Sequence, residues 1–189
     1  KIQRITPVQS AHGIKINRKM LSCLDMHSGI DYSIYPLSDS ALEVKLGDRI
    51  DPLVHARVIS LWRSLKELPL LGQIDLVPAY CTLGIRFDLQ QISSTGFNAL
   101  LPTLKDRVDA LKIEEQGESR LLVIPVCYHE SMAPDLSAIA HQLNCSVEQI
   151  VSLHTASEYT VYLLGFLPGF PYMGVLPESL RLPRKAQPE

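Results

Sequence analysis

Apolar and polar positions alternate in four short stretches of the first half of the chain, and this pattern predicts four β-strands. The stretches are residues 33–37, 41–46, 74–76 and 83–87. Ser38-Asp39-Ser40 predicts a tight turn between the first two. Apolar residues at helical spacing follow over 54–68 and again over 97–111. The first part of the chain is therefore predicted to run β-β-α-β-β-α.

The boundaries of the two predicted helices carry local signals. Asp51-Pro52 combines a preferred N-cap residue with a residue suited to the first helical position. Pro69 and Gly72 follow the last apolar position and end that helix. The second helix contains Pro102, so we expect it to begin near this proline or to be kinked there.

A change of composition at residues 112–120, which carry five charges and Gly117, predicts a linker. The continuous apolar run Leu121 to Tyr128 then predicts a buried strand. Two helices are expected over 136–143 and 147–154, the second starting at a capping box formed by Ser146 and Gln149.

A further strand is expected over 159–166. The stretch from Gly165 to Pro188 is rich in proline and glycine and predicts shaped loop rather than regular structure. We place one domain at 32–116 and a second at 117–189, and we expect the natural polypeptide to continue past Glu189, because so few strands cannot cover both faces of a sheet.

Residues 1–31 are expected to form an extension outside the core. The first 24 residues contain five cations and no acid, and they show no clear helical or strand period. We favour vector-derived or upstream-translated sequence over a targeting peptide, because no continuous apolar stretch is present. We expect residues 1–24 to be removable without loss of folding.

The overall composition is that of a folded protein without a strongly charged partner. The 189 residues are 46% hydrophobic and 20% charged, with a net charge of -2. This argues against disorder, nucleic-acid binding and a membrane surface. No apolar run approaches the ~18 residues that span a bilayer. The four cysteines lack CxxC spacing, which favours reduced thiols and a cytoplasmic location.

Two candidate sites, a DNA-binding helix pair and a zinc site, are rejected because of the residues that they contain. The helix pair over 136–156 has helix-turn-helix spacing, but no Lys or Arg lies between Arg120 and Arg181 to contact phosphates. Five side chains could ligate zinc: Cys127, His129, His141, Cys145 and His154. They show no paired ligand spacing, so we expect no metal site.

The most unusual segment is the run from Tyr159 to Gly174, in which two Gly-Phe pairs bracket a proline. Glycines allow close approach of another chain or a ligand, and the rings and prolines give a rigid wall. The alternative is a sharp corner between strands with its rings in the core. Residue patterns alone leave both interpretations open.

This segment and several earlier ones resemble a known family. In the second half of the chain the matching segments are His154, Glu158-Tyr159-Thr160-Val161, Gly165-Phe166, Pro168-Gly169-Phe170-Pro171-Tyr172 with Gly174, and Leu182-Pro183-Arg184 with Ala186. The earlier ones are Tyr35-Pro36-Leu37-Ser38-Asp39-Ser40-Ala41-Leu42, His55-Ala56-Arg57-Val58, Val77-Pro78-Ala79-Tyr80, and Ile124-Pro125-Val126-Cys127-Tyr128 with Pro134-Asp135-Leu136. The family contains the kinase inhibitor KipI, the B subunit of bacterial 5-oxoprolinase (PxpB), and the first subunit of allophanate hydrolase. The resemblance covers roughly 32–188. It implies an α+β chain with a small ferredoxin-like α/β domain and then a cyclophilin-like β-barrel domain, which is incomplete here.

The resemblance implies a subunit of an ATP-dependent 5-oxoprolinase, which opens 5-oxo-L-proline to L-glutamate and releases ADP and phosphate. It implies ATP with Mg²⁺ as cofactor, bound in complex with a partner subunit, a small-molecule substrate, and a KipA-like or PxpC-like partner subunit. A KipI-like inhibitor of a sensor histidine kinase and an allophanate hydrolase component are the alternatives.

Candidate site residues follow from the residue types near the motif and from the family resemblance. Arg181, Arg184 and Lys185 are the cations near the motif, and His154 and Glu158 are expected one helical turn apart. We predict His154, Glu158 and Arg184 as catalytic, with a satisfied helix-end pair as the alternative for the first two. Predicted contacts to substrate or partner are Tyr159, Gly165, Phe166, Pro168, Gly169, Phe170, Pro171, Tyr172, Gly174 and Arg181.

Overall fold

The computed structural model describes residues 12–16, 31–92, 96–113 and 120–184. Its strands are β1 (His12–Ile16), β2 (Ser33–Ser38), β3 (Ala41–Lys45), β4 (Gln73–Pro78), β5 (Thr82–Phe87), β6 (Leu122–Val126), β7 (Glu158–Leu164) and β8 (Pro171–Gly174). Its α-helices are α1 (Pro52–Glu67), α2 (Leu89–Ile92), α3 (Gly96–Asp109), α4 (Leu136–Gln142) and α5 (Val147–Ala156). The chain divides into two compact units. Unit 1 contains 1–18, 120–161 and 173–189, and unit 2 contains 19–119 and 162–172.

Unit 2 contains an antiparallel sheet in the order β2-β3-β5-β4. The predicted order β-β-α-β-β-α is confirmed, with the short helix α2 added before α3. One face of the two central strands is buried because their apolar residues alternate with polar ones. This face packs with α1 and α3 in a core that includes Leu42, Val44, Val58, Leu61, Leu65, Leu83, Ile85 and Leu104.

The helix boundaries of unit 2 follow the sequence signals. Asp51 caps α1, and its Oδ1 accepts hydrogen bonds from the backbone N–H groups of Leu53 at 2.8 Å and Val54 at 3.4 Å. Helix α3 begins at Gly96 and contains Pro102, so its start lies before the proline rather than near it.

Unit 1 contains β1, β6, the first residues of β7 and the last residues of β8, and these strands form a sheet in the order β6-β1-β7-β8. Unit 1 also contains a helical hairpin. Leu136, Ala140 and Ile150 are buried between α4 and α5. The predicted capping box of α5 is confirmed: Ser146 Oγ accepts from the Gln149 backbone N–H at 3.2 Å, and Gln149 Oε1 accepts from the Ser146 backbone N–H at 2.8 Å.

Strand β1 carries no signal of its own in the sequence. Residues 1–24 were expected to contain no regular element, whereas His12–Ile16 pairs antiparallel with all of β6 and parallel with the start of β7. Five residues are too few to establish a period, and their partners lie more than a hundred positions away. The rest of the predicted extension before Asp31 lies outside the described residues, as does most of the predicted linker, 114–119.

Three further details of unit 1 differ from the expectations. Strand β6 was predicted to be buried, but Leu122, Val123 and Ile124 are exposed. The prediction was wrong because β6 is an edge of the described sheet, and an apolar run alone does not guarantee a covering layer. The stretch after Gly165, predicted to be loop, contains β8 and a 3-10 helix at Glu178–Leu180.

The predicted α+β fold class is confirmed, and the incomplete barrel corresponds here to a four-stranded sheet. In the described part of the chain, Cys81, Cys127 and Cys145 are free thiols. None of the helices described has both the length and the apolar content needed to cross a membrane.

Deletion of residues 12–16 is expected to weaken unit 1 selectively, because β6 and β7 both pair with β1. A net hydrogen bond contributes ~1 kcal/mol, so loss of one or more per strand should speed amide exchange in β6 by about tenfold or more. Hydrogen exchange followed by mass spectrometry measures this, with β3 and β5 of unit 2 as the internal control. Unchanged protection of β6 would show that β1 contributes nothing to the sheet.

Candidate functional site

The segment singled out by its sequence forms a tight loop between β7 and β8. We call Gly165–Tyr172 the aromatic loop. The Gly165 N–H donates to Phe170 O at 3.1 Å, and the Phe170 N–H donates to Leu167 O at 3.0 Å. Two residues have left-handed backbone angles, Phe166 with φ of 64° and Gly169 with φ of 79°. An ideal Cβ at Gly169 meets no atom within 4 Å, so the backbone angle, not lack of space, requires glycine there.

The rings of this loop lie on the surface and contact one another in series. Phe166 is 83% exposed and Phe170 is 45% exposed. The Phe166 and Phe170 rings meet edge to face with centroids 6.0 Å apart, and Phe170 meets Tyr172 in the same way at 5.2 Å. Of the two interpretations that the sequence left open, the exposed wall describes Phe166 and Phe170, since neither ring lies in a core.

A second aromatic cluster lies in the same unit. Tyr162, in β7 and buried, places its ring 4.9 Å from the His55 ring and 5.2 Å from the Tyr80 ring. His55 Nδ1 lies 3.1 Å from Ala79 O, so this nitrogen carries the proton that the carbonyl accepts. Burial raises the pKa of Tyr162, and the nearby Asp51 carboxylate raises it further. Burial likewise raises the pKa of Tyr80, with a smaller contribution from Tyr172.

Sequence reasoning missed the role of His55, Tyr80 and Tyr162. His55 lies on α1, 107 positions before Tyr162, and no local spacing connects them. The available signal was modest: a histidine on the apolar face of a helix and a tyrosine three residues before a glycine.

His154 lies in a separate cluster in unit 1. Its Nδ1 is 2.6 Å from the Tyr128 hydroxyl oxygen, and its ring contacts the rings of Tyr128 and Tyr159. The Tyr159 hydroxyl donates to the His154 backbone carbonyl at 3.0 Å. Burial lowers the pKa of His154, so the ring is neutral near pH 7. The predicted residues His154 and Tyr159 are thus brought together.

The expected arrangement of His154 and Glu158 on one helix is wrong. Helix α5 ends at Ala156, and Ser157 is extended, so Glu158 is the first residue of β7. The Ser157 hydroxyl donates to Leu153 O at 3.2 Å, which satisfies a carbonyl of the last turn. Because α5 ends before Glu158, the four-residue spacing between His154 and Glu158 does not place their side chains one helical turn apart.

The remaining predicted residues are distributed over both units. The aromatic loop belongs to unit 2, whereas His154, Glu158, Gly174, Arg181 and Arg184 belong to unit 1. Arg181 follows the 3-10 helix, and both arginines are exposed. Lys185 lies outside the described residues.

Neither the cavity described in unit 2 nor the described metal-ligand side chains form a site suited to ATP with Mg²⁺. A cavity of about 530 Å³ in unit 2 is lined by Pro36, Leu37, Ser38, Asp39, Leu89, Ile92, Gly96 and Phe97. This lining contains no cation for a triphosphate. No group of three His, Cys, Asp or Glu side chains that could hold a metal ion occurs in the described ranges. We therefore derive no step through a nucleotide bound to this chain.

Comparison with known proteins gives a consistent result. A family model for the carboxyltransferase domain, subdomain C and D, matches residues 32–189. The B subunit of 5-oxoprolinase from Escherichia coli O157:H7 is 51% identical over 156 residues, which cover 82% of this chain and 68% of that protein. The chain belongs to the family of the carboxyltransferase domain, subdomain C and D. The corresponding 5-oxoprolinase protein of Bacillus subtilis strain 168 is 31% identical over 166 residues, which cover 84% of this chain and 69% of that protein.

A solved structure supports the same fold for this family member. TTHA0988 matches with a TM-score of 0.61 and 32% identity. The match covers 79% of this chain but only 28% of the TTHA0988 chain. The matched family segment contains the aromatic loop and the His154 cluster.

The lowered pKa of His154 predicts a pH-dependent contribution to stability. Folding favours the neutral ring, so this contribution is complete above about pH 6.5 and is lost as the pH falls toward the lower folded pKa. The free energy of unfolding should therefore fall less steeply from about pH 8 to about pH 5 in His154→Gln than in the unmodified chain.

Urea unfolding at several pH values measures this difference. His141→Gln is the matched control, because His141 lies on the exposed side of α4. An identical slope for the unmodified chain and His154→Gln would contradict the assignment.

Replacement of Gly169 tests the backbone of the aromatic loop. Gly169→Ala should destabilise the folded chain by about 1 kcal/mol, because alanine does not tolerate the left-handed angle, and Gly169→Asn should cost less. Gly165→Ala is the control, since its added Cβ would meet Leu163 and Tyr172 atoms at an ordinary 3.7 Å. Thermal unfolding compares the three variants; equal effects at both glycines would show that φ is not the cause.

Proposed function

We propose that this chain acts as a subunit of an ATP-dependent hydrolase that opens the lactam of 5-oxo-L-proline to give L-glutamate. The observation that carries the proposal is the 51% identity to a 5-oxoprolinase subunit across the segment that contains the aromatic loop. In this reaction one water adds across the broken C–N bond, giving a carboxylate and an amine. A second water accounts for the conversion of ATP to ADP and phosphate.

The contribution of this chain is to dock on the subunits that hold the nucleotide. The cavity in unit 2 is lined by no Lys or Arg, whereas the aromatic loop exposes apolar rings. Exposed aromatic side chains are enriched in protein interfaces and contribute much of their binding energy. Docking through this loop would remove Phe166 and Phe170, two of the exposed large apolar residues among those described, from water.

The three predicted catalytic residues differ in their surroundings. Glu158 and Arg184 are exposed, so a partner subunit or the substrate can reach them. His154 is half-buried and contacts Tyr128 and Tyr159. We assign His154 a positioning role, because it links the end of α5 to the start of β7, and we retain Glu158 and Arg184 as candidates for substrate or partner contact.

The inhibitor of a sensor histidine kinase and the allophanate hydrolase component stay predictions of the family resemblance. The B. subtilis and E. coli relatives are both named for 5-oxoprolinase, which favours the hydrolase subunit.

A chimera tests the proposed function directly. The whole chain, residues 1–189, would replace the matched segment of the E. coli relative so that β1 is kept, and the chimera would be combined with the other subunits of that enzyme. We expect glutamate formation that requires both 5-oxo-L-proline and ATP, and no product when the chimera is omitted. Release of ADP and glutamate would be followed together.

The control is a chimera carrying Met132→Ala, a change at an exposed apolar residue of unit 1 outside the aromatic loop. It should keep the activity. A folded chimera that joins the other subunits and yields no glutamate would overturn the proposal.

A further inference from the structure

We infer that Tyr128 is a positioning residue of the proposed site and acts through the imidazole of His154. Its hydroxyl donates to His154 Nδ1, which places the imidazole proton on Nε2 and makes that nitrogen a neutral hydrogen-bond donor. Such a donor suits an acyl oxygen, the oxygen of an amide or a carboxylate. The inference deepens the proposed function and rests on it for the identity of that oxygen, the lactam carbonyl of 5-oxo-L-proline.

Three segments of unit 1 meet at His154. Tyr128 follows β6 and packs against the core between α4 and α5, His154 lies in the last turn of α5, and Tyr159 is the second residue of β7. The Tyr128 and His154 rings are nearly perpendicular, at 89°, with centroids 6.0 Å apart. The Tyr159 hydroxyl bonds to the backbone carbonyl of His154 instead. The two tyrosines therefore hold different parts of His154: Tyr128 holds a ring nitrogen and Tyr159 the backbone.

The direction of the hydrogen bond between Tyr128 and His154 follows from its length and from the partners around it. The hydroxyl oxygen lies 2.6 Å from Nδ1. This is within the ~2.5–3.0 Å range of hydroxyl donors and shorter than the ~2.7–3.2 Å typical of N–H groups bonded to oxygen. With Nδ1 as the donor, the hydroxyl proton would need another acceptor, and the described residues give this hydroxyl no second partner. With the hydroxyl as the donor, Nδ1 itself accepts that proton's hydrogen bond.

Burial keeps both groups in the protonation states that this hydrogen bond needs. It raises the pKa of Tyr128, so the hydroxyl keeps its proton at neutral pH. It lowers the pKa of His154, so Nδ1 keeps a lone pair with which to accept. A neutral imidazole carries one proton, which is therefore on Nε2.

The second ring nitrogen of His154 is available to a ligand. Nε2 has no hydrogen-bond partner within the described ranges, and the His154 side chain is half-buried rather than enclosed. A fixed neutral N–H donor stabilises the negative charge that develops on an acyl oxygen when its carbon is attacked. This contact adds to the positioning role of His154 at the junction of α5 and β7.

Nitrogen-15 NMR of the full chain, labelled at histidine, tests the hydrogen bond. At about pH 8, where an imidazole is neutral, a protonated and an unprotonated ring nitrogen give widely separated signals, and exchange between tautomers brings these signals together. The variant His154→Gln identifies the signals of His154. We expect the unmodified chain to carry the proton on Nε2, and Tyr128→Phe to bring the two signals together.

Tyr159→Phe is the matched control for this measurement. It also removes one hydroxyl from the cluster, but that hydroxyl bonds to the backbone of His154 and not to its ring. The two signals should therefore keep their separation. A proton on Nδ1 in the unmodified chain would overturn the inference without any variant, and so would signals that Tyr128→Phe leaves unchanged. Tyr128→Phe keeps the ring that packs against α4 and α5.

Kinetics of the chimera connect the tautomer with the reaction. Tyr128→Phe should lower kcat for glutamate formation about tenfold, because the imidazole loses its fixed tautomer and orientation, whereas Tyr159→Phe should lower it less. An unchanged kcat in an active chimera carrying Tyr128→Phe would overturn the role of Tyr128 in the reaction. A chimera with no activity at all would contradict the proposed function, and the NMR signals would still decide whether Tyr128 fixes His154.

Discussion

Burial of the Tyr162 ring is the contact on which the exposed part of unit 2 depends. The ring is held by His55 from α1 and by Tyr80 from the turn between β4 and β5. The aromatic loop begins three residues later, so the position of Tyr162 determines where that loop leaves the packed part of the unit. Because Tyr162 is packed, the short loop that follows it can keep Phe166 in a left-handed conformation while the Phe166 ring faces water.

The same residues show the difference between a stabilising and an interacting aromatic group. Tyr162 gains its stability from neighbours within its own unit. Phe166 contacts Phe170 and exposes the rest of its surface. Tyr172 lies between these extremes, since it is half-buried and contacts Phe170. Between Tyr162 and Tyr172, eleven residues, the chain thus carries a packed ring, a half-buried ring and two exposed rings.

Local signals in the sequence predicted most of the secondary structure, because caps and turns act over a few residues. Asp51 and Ser146 both cap the helices assigned to them, and the alternation of β3 and β5 places their apolar residues in one core. Features that depend on distant partners were not predictable. Strand β1 needs β6 and β7 to form, and Tyr162 needs α1. The position of Glu158 was mispredicted for a local reason instead: helix α5 ends at Ala156, Ser157 is extended, and Glu158 begins β7.

The exposed strand β6 has a consequence for how the protein behaves in concentrated solution. It is an edge of the described sheet, and Leu122, Val123 and Ile124 present apolar side chains beside backbone groups that can pair with another strand. Such an edge is a template for growth of a sheet from one molecule to the next, in the manner of amyloid. Pro125 interrupts it, because proline has no amide hydrogen to donate. A proline in an edge strand is one of the features that limit such pairing.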